Sequence, residues 1–149
     1  MARPTLHIAF LHLAPIPGDL IKNRRAIENA ITRAAQKGAT WIITPELSVC
    51  GYTFADTLGT DWIEPQPDQW VSSLCRLAAR LRVTLFLSHP ERDRKTDTLY
   101  NSLFVITADN GMSDPIARST PFASVPKPGR VQEIVLNRLH SHPSAASDS

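Results

Sequence analysis

The chain has 149 residues, of which 42% are hydrophobic and 20% are charged, and its net charge is +2 at pH 7. This is an ordinary globular composition, and the length suits half of a larger domain better than a complete one. The scattered, nearly balanced charges predict neither nucleic acid nor a membrane surface as a partner. The apolar run at the amino end is short and is broken by His7, His12 and Pro15, so it predicts neither an export signal nor a membrane span.

The first part of the chain predicts strands that alternate with helices. Residues 6–13 read as a buried strand, Asp19 caps a helix whose apolar residues recur at helical spacing up to Gly38, and residues 40–44 form a second, apolar strand. Because crossovers of this kind are right-handed, the first three strands of the chain are expected to be parallel.

The middle of the chain continues the same pattern. The predicted elements are a loop over 54–67, a helix capped by Asp68, strands over 83–88 and 100–108, and a turn at Asn110-Gly111. The charged run 91–97 between these two strands is typical of a solvated hairpin or loop. The sequence therefore predicts an α/β fold.

From residue 119 the chain changes character. Prolines become frequent, and the last nine residues contain little apolar surface to offset the entropy lost on ordering. Only 131–139 has a weak helical rhythm of apolar residues. We expect residues 1–118 to form the folded part and residues 119–149 to form an irregular, flexible tail.

The most informative candidate residue is Glu46, which follows the second predicted strand directly after Pro45. The carboxyl ends of strands in open α/β sheets line the crevice where ligands bind, which makes Glu46 a candidate catalytic carboxylate. The alternative is that Glu46 faces water or caps a turn, since carboxylates avoid burial unless they are paired.

The surrounding motifs resemble those of the nitrilase, or carbon-nitrogen hydrolase, superfamily over residues 5 to about 117. The motifs follow the order of that family: the strand Leu6 to His12, Gly18-Asp19 with Asn23, Gly38-Ala39, Pro45-Glu46-Leu47, Gly51-Tyr52, Tyr100-Asn101-Ser102 and Asn110-Gly111. The resemblance implies the amino-terminal part of an α-β-β-α layered sandwich, without a cofactor or metal. It also implies a small-molecule amide or nitrile as substrate.

By the same resemblance, the reaction uses a Glu, a Lys and a Cys. The Glu takes the thiol proton, the Cys attacks the nitrile or amide carbon, and the Lys stabilises the tetrahedral species that results. Glu46 matches the general base. A thiol with a pKa of about 8.5 needs such a base, since little of it is thiolate at neutral pH.

The Lys and the Cys of the family have no clear counterpart. Lys127 lies between two prolines, which cannot occupy a regular sheet strand, so it reads as a loop lysine. Cys50 follows Glu46 by four residues, at a spacing unlike that of the family, and Cys75 falls within a helical pattern. Free cysteines of this kind are most often small buried residues.

These gaps leave two hypotheses for the function. In the first, the chain is a family hydrolase that lacks its catalytic second half and is inactive alone. In the second, it is a noncatalytic fragment or pseudoenzyme that acts through protein association. The loss of resemblance near Arg118 suggests a truncated, alternatively spliced or frame-shifted product, with true divergence as the alternative. An incomplete sandwich would leave an uncovered face, so a homo-oligomer is expected.

Other residues have weaker implications. Trp62, on the loop expected to lie over Glu46, could line a substrate pocket or simply pack, as could Trp70, and His89 at a strand end is read as structural. The pair His140 and His142 lacks the carboxylates or cysteines of a metal site. Two cysteines in separate elements argue against a disulfide framework and favour a reducing compartment, the cytoplasm.

Overall fold

The computed structural model describes residues 5–119 and the backbone of residues 134–136. Within these residues, three helices and seven strands follow one another in the order β1 (Ile8–Phe10), α1 (Leu20–Gln36), β2 (Trp41–Ile43), α2 (Phe54–Leu58), α3 (Gln69–Leu81), β3 (Thr84–Arg92), β4 (Leu99–Thr107), β5 (Gly111–Met112), β6 (Ala117–Ser119) and β7 (Ile134–Leu136). Within the described part of the chain, no helix is both long and apolar enough to cross a membrane.

All seven strands belong to one mixed sheet with the order β1-β2-β3-β4-β6-β7, and β5 pairs with β4. Strands β1, β2 and β3 are parallel, which confirms the predicted arrangement. The long hairpin of β3 and β4 then begins the antiparallel half of the sheet, to which β5, β6 and β7 add. The fold is a mixed sheet with helices, in agreement with the predicted α/β class.

Both predicted helices begin at the predicted caps. A carboxylate oxygen of Asp19 accepts from the backbone N–H of Lys22 at 3.1 Å, and Asp68 accepts from that of Val71 at 2.7 Å. Each cap satisfies a backbone donor that has no partner inside its helix. The short helix α2, in the segment predicted as a loop, was missed because five residues are too few to show a periodic pattern.

Helices α1 and α3 cover one face of the sheet and form the main core with it. The apolar residues of that core come from both helices and from the inward positions of β2, β3 and β4, and include Ile27, Ile31, Val71, Leu74, Ile42, Leu85, Leu87 and Ile106. Because side chains alternate along a strand, the residues between these positions point to the other face.

This other face, which we call the open face, carries large apolar side chains in contact with solvent. Ile8, Phe10 and Trp41 are 46%, 69% and 39% exposed, and Phe86 packs against Trp41 with ring centroids 5.1 Å apart. Asn101 lies farther along the same face. One face of the sheet is therefore covered by helices, and the other keeps an apolar surface typical of a layer that lies against another.

The structure corrects two predictions near the hairpin and the tail. The segment 93–98 is the predicted hairpin connection, but Glu91 belongs to β3 and is buried, where it accepts from the hydroxyl of Ser102 and pairs with Arg118. A buried carboxylate is tolerable when it is paired in this way. Residues 134–136, within the stretch that has a weak helical rhythm and was expected to belong to an irregular tail, form β7, whose pairing with β6 satisfies the backbone of that short strand.

Candidate active site

Glu46 leaves the carboxyl end of β2 at the margin of the open face. Before it, Thr44 prolongs the contact with β3 by donating its backbone N–H to the carbonyl oxygen of Phe86 at 3.0 Å. The alternation of side chains along the strand ends at Pro45, and the side chain of Glu46 is exposed. Glu46 therefore lies at a strand end, as the sequence indicates, and its side chain faces water, as in the alternative reading; its catalytic role stays a prediction.

On the carboxyl side of Glu46, residues 47–51 form a tight turn. Leu47 adopts a left-handed backbone with a φ of 50°, and the N–H of Gly51 donates to the carbonyl oxygen of Leu47 at 2.7 Å. Gly51 has a φ of 77°, and a Cβ there would lie 3.1 Å from Cα of Pro17. Both observations require glycine at this point, which explains the Gly51-Tyr52 motif physically.

Two side chains donate hydrogen bonds to the Glu46 carboxylate. Nδ2 of Asn101, on β4, lies 2.7 Å from Oε1, and the hydroxyl of Tyr52 lies 3.2 Å from Oε2. Partial burial, and then the neighbouring Glu46 carboxylate, raise the pKa of Tyr52. Tyr52 therefore stays protonated and remains a donor. The carboxylate is oriented from both sides and keeps lone pairs free for a proton.

Ser119 is the residue of β6 that lies beside this pair. The register of β4 and β6 places Ser119 opposite Asn101, and the Ser119 hydroxyl donates to the backbone oxygen of Asn101 at 3.3 Å. Directly opposed residues share one face of a sheet, so position 119 lies on the face that carries Asn101. By the resemblance, this stretch should deliver the Lys. From the sequence, Lys127 was the lysine considered for this role. Position 119 was not recognised, because neighbouring residues do not reveal the register of β6.

The cysteines of the described part do not reach Glu46. Cys50 is fully buried with Leu47, Phe54 and Ile63, and its burial raises the pKa of its thiol to about 12. Its Sγ faces the carbonyl oxygen of Leu47. A reactive cysteine needs an exposed, electropositive setting, which Cys50 does not have.

The remaining candidates lie elsewhere or outside the described residues. Cys75, on α3, is half-buried, and burial raises the pKa of its thiol. Lys127, His140 and His142 lie outside the described residues. Within 5–119, no group of three or more His, Cys, Asp or Glu side chains could hold a metal ion.

Trp62, Trp70 and His89 form a separate cluster on the helix-covered side. The rings of Trp62 and Trp70 lie 6.3 Å and 5.7 Å from the ring of the fully buried His89. Both indoles also line a cavity of about 540 Å³, together with Arg24 of α1 and Asp68, the cap of α3. Trp62 was expected over Glu46 as one alternative, but the packing alternative describes its position.

Comparisons with known proteins agree with the fold and the motifs. The sequence profile described as Carbon-nitrogen hydrolase matches residues 7–138, which extends beyond Arg118 into the segment predicted as a tail. The division of the chain at residue 118 stays a prediction. A glutamine-dependent NAD(+) synthetase from Synechocystis sp. is 29% identical over 103 residues, which are 66% of this chain and 18% of that protein.

Solved structures of the nitrilase superfamily share the fold. Nit3 of Saccharomyces cerevisiae, a member of branch 10 of that superfamily, has a TM-score of 0.61 at 22% identity, over 74% of this chain and 42% of its own. A carbon-nitrogen hydrolase from Helicobacter pylori G27 has a TM-score of 0.59 at 20% identity, over 76% of this chain and 39% of its own. This chain thus spans less than half the length of either. With the profile matched over most of its residues, the chain belongs to the carbon-nitrogen hydrolase family.

Proposed function

We propose that Glu46 is the general base of a carbon-nitrogen hydrolase site for small amides or nitriles. The observation that carries the proposal is the exposed Glu46 carboxylate, held by Asn101 at 2.7 Å and by Tyr52 at 3.2 Å. An oriented carboxylate can take the proton of a nucleophile as that nucleophile attacks carbon. Family membership supports this role, as do structural neighbours that include an amidase from Nesterenkonia sp..

We propose further that the 149-residue chain does not turn substrate over by itself. General-base assistance alone contributes roughly 10² to 10⁴ in rate, far less than the hydrolysis of an unactivated amide requires. In the part of the chain that the structure describes, neither a lysine ammonium nor a thiol lies at the Glu46 carboxylate, and the Cys50 thiol is buried. Ser119 stands in the stretch where the resemblance implies the Lys, and the sequence has no cysteine after Cys75, where the resemblance implies the nucleophile.

Binding of a simple amide tests the role of Glu46 without requiring turnover. Propionamide, added to the isotope-labelled chain, should shift the NMR signals of the Asn101 side-chain amide and of Tyr52, and Glu46→Gln should weaken the binding. Glu64→Gln is the matched control, because Glu64 is also exposed but lies on the loop before α3. Shifts that persist unchanged in Glu46→Gln, or no shifts at all, would contradict the proposal.

An ammonia assay tests the second part. The purified chain, incubated with simple amides or nitriles, should release no ammonia above a blank. Steady release that Cys50→Ser abolishes would show that Cys50 acts as the nucleophile despite its burial.

The nucleic acid that encodes the chain, read in all frames downstream of the codon for Arg118, should contain Lys and Cys signatures if an altered frame or splice removed them.

The alternative is a noncatalytic role through protein association. It is favoured by one observation, the exposure of Ile8, Phe10 and Trp41 on the open face. Apolar side chains in such a patch gain free energy when a partner covers them. Light scattering of the purified chain tests whether a second copy covers the open face, and a stable monomer would contradict association of that kind. The compartment and the homo-oligomer remain predictions.

A further inference from the structure

The hydroxyl of Ser88 connects the backbone of the Glu46 turn with the side chain that orients Glu46. Ser88 lies on β3 and is only 8% exposed. Its Oγ accepts the backbone N–H of Leu47 at 3.3 Å and donates to Oδ1 of Asn101 at 3.2 Å. One hydroxyl therefore contacts both the residue that follows Glu46 and the residue that binds the Glu46 carboxylate.

These contacts determine how the Asn101 amide is turned. A carboxylate only accepts, so the NH2 group of Asn101 must face Glu46, and its Oδ1 must then face the hydroxyl of Ser88. The backbone N–H of Leu47 can only donate, so the Ser88 hydroxyl accepts there and gives its own hydrogen to Asn101. In this hydrogen-bond network every donor has one acceptor, and the donor-to-acceptor directions of the three bonds are mutually consistent.

Ser88 itself is also held by a hydrogen bond to Thr44, at the end of the neighbouring strand β2. Its backbone N–H donates to Oγ1 of Thr44 at 3.0 Å, and the hydroxyl of Thr44 donates to the carbonyl oxygen of Phe86 at 3.2 Å. Thr44 and Ser88 are both buried. The hydroxyl of Ser88 is thus placed by β2 and β3, which are rigid elements of the sheet, rather than by a loop.

From this geometry we propose that Ser88 is a positioning residue for Glu46. It acts in two ways, by fixing the amide of Asn101 that occupies Oε1, and by holding the backbone of Leu47 in its left-handed conformation. Oε2 of Glu46, which accepts the weaker hydrogen bond from Tyr52 at 3.2 Å, then keeps a second lone pair for a proton to be taken. This inference rests on the proposed role of Glu46 as the working carboxylate.

The test follows the Asn101 side-chain amide by NMR in the complete 149-residue chain. Glu46→Gln should move the Asn101 Nδ2 proton signals, because a charged acceptor is replaced by a neutral group. Ser88→Ala should move them as well and accelerate their hydrogen exchange about fivefold, as expected for the loss of one hydrogen bond. Ser88→Thr, which retains a hydroxyl, should restore the wild-type behaviour.

Ser113→Ala is the matched control, because Ser113 also contacts β4 through its hydroxyl but lies far along the strand from Asn101. It should leave the Asn101 signals unchanged. A folded Ser88→Ala variant with wild-type Asn101 signals and exchange would overturn the proposal. If Ser88→Ala does not fold, Ser88→Cys decides the point, because a thiol is a much weaker hydrogen-bond donor and acceptor than a hydroxyl. It should also move the Asn101 side-chain signals, and wild-type Asn101 signals in Ser88→Cys would again overturn the proposal.

The readout involves neither substrate nor turnover, so it is separate from the test of the proposed function. Coupling between Ser88, Asn101 and Glu46, combined with a failure to bind propionamide, would retain the positioning role and reject the amide site. Amide binding that depends on Glu46 but not on Ser88 would retain the site and reject the positioning role.

Discussion

The buried imidazole of His89 should make the stability of this protein depend on pH. His89 is fully buried between Trp62 and Trp70, its Nδ1 contacts the carbonyl oxygen of Pro90, and its Nε2 has no partner among the described residues. Burial lowers the pKa of His89 from 6.5 to about 4, and the charge of Arg24 acts in the same direction. The Pro90 carbonyl and the Asp68 carboxylate oppose this shift without overcoming it.

The sign of the effect follows from which state binds the proton. As the pH falls below 6.5, His89 of the unfolded chain becomes protonated, whereas that of the folded chain stays neutral down to about pH 4. Stability is therefore complete above pH 6.5 and decreases over this range. At about 1.4 kcal/mol for each pKa unit, the full loss is about 3 kcal/mol, of which ~2 kcal/mol has developed by pH 5.

Urea unfolding at pH 7.5 and pH 5 measures this loss. His89→Phe keeps an aromatic ring between the indoles and removes the titration, so its stability should decrease by ~2 kcal/mol less than that of the wild type between the two pH values. Because each protein is compared with itself at the two pH values, a constant change in its free energy of unfolding caused by altered packing cancels. His12→Gln, which removes an exposed imidazole, is the control and should follow the wild type. An equal pH dependence in His89→Phe and the wild type would refute the reasoning.

Three further predictions concern other parts of the molecule. The fully buried Cys50 should resist iodoacetamide at pH 7.5 until urea unfolds the chain, as followed by mass spectrometry, and rapid labelling of the folded protein would contradict its burial. Asp68→Ala should cost ~1 to 2 kcal/mol in urea unfolding, because it removes the cap of α3 and the partly buried ion pair with Arg24. Asp19→Ala, which removes the cap of α1 and only an exposed ion pair with Lys22, should cost less, and equal costs would show that the pair with Arg24 adds no more than the exposed one. Phe10→Glu should shift any oligomer towards monomer in light scattering, and an unchanged mass would place the association elsewhere.

Much of the fold could be predicted because its signals are local. Asp19 and Asp68 cap their helices through N–H groups three residues away, and the apolar positions of α1 and α3 repeat within a few residues of one another. The position of Glu46 was visible for the same reason, since the apolar strand and the Gly51 turn stand on either side of it in sequence. Interactions over such short separations depend little on the rest of the chain.

The environment of Glu46 was decided by tertiary structure. Asn101 is 55 residues from Glu46 in sequence, and Ser88 lies between them in the chain but joins them in space through pairing of β3 with β4. The same holds for Ser119, whose place beside Asn101 is set by the register of β6, and for Glu91, which is buried because Arg118 reaches it across the sheet.

The physical reason is that a shift of one residue in strand register turns every side chain to the opposite face. Sequence patterns show that a strand exists and which of its faces is apolar, but the choice of partner and register is made by the packing of the whole sheet. The sequence by itself therefore determined the elements, their order and the carboxylate at the end of β2. Only the folded sheet decided which side chains orient that carboxylate, that Cys50 is closed off in the core, and that Trp62 packs with His89 on the helix-covered side.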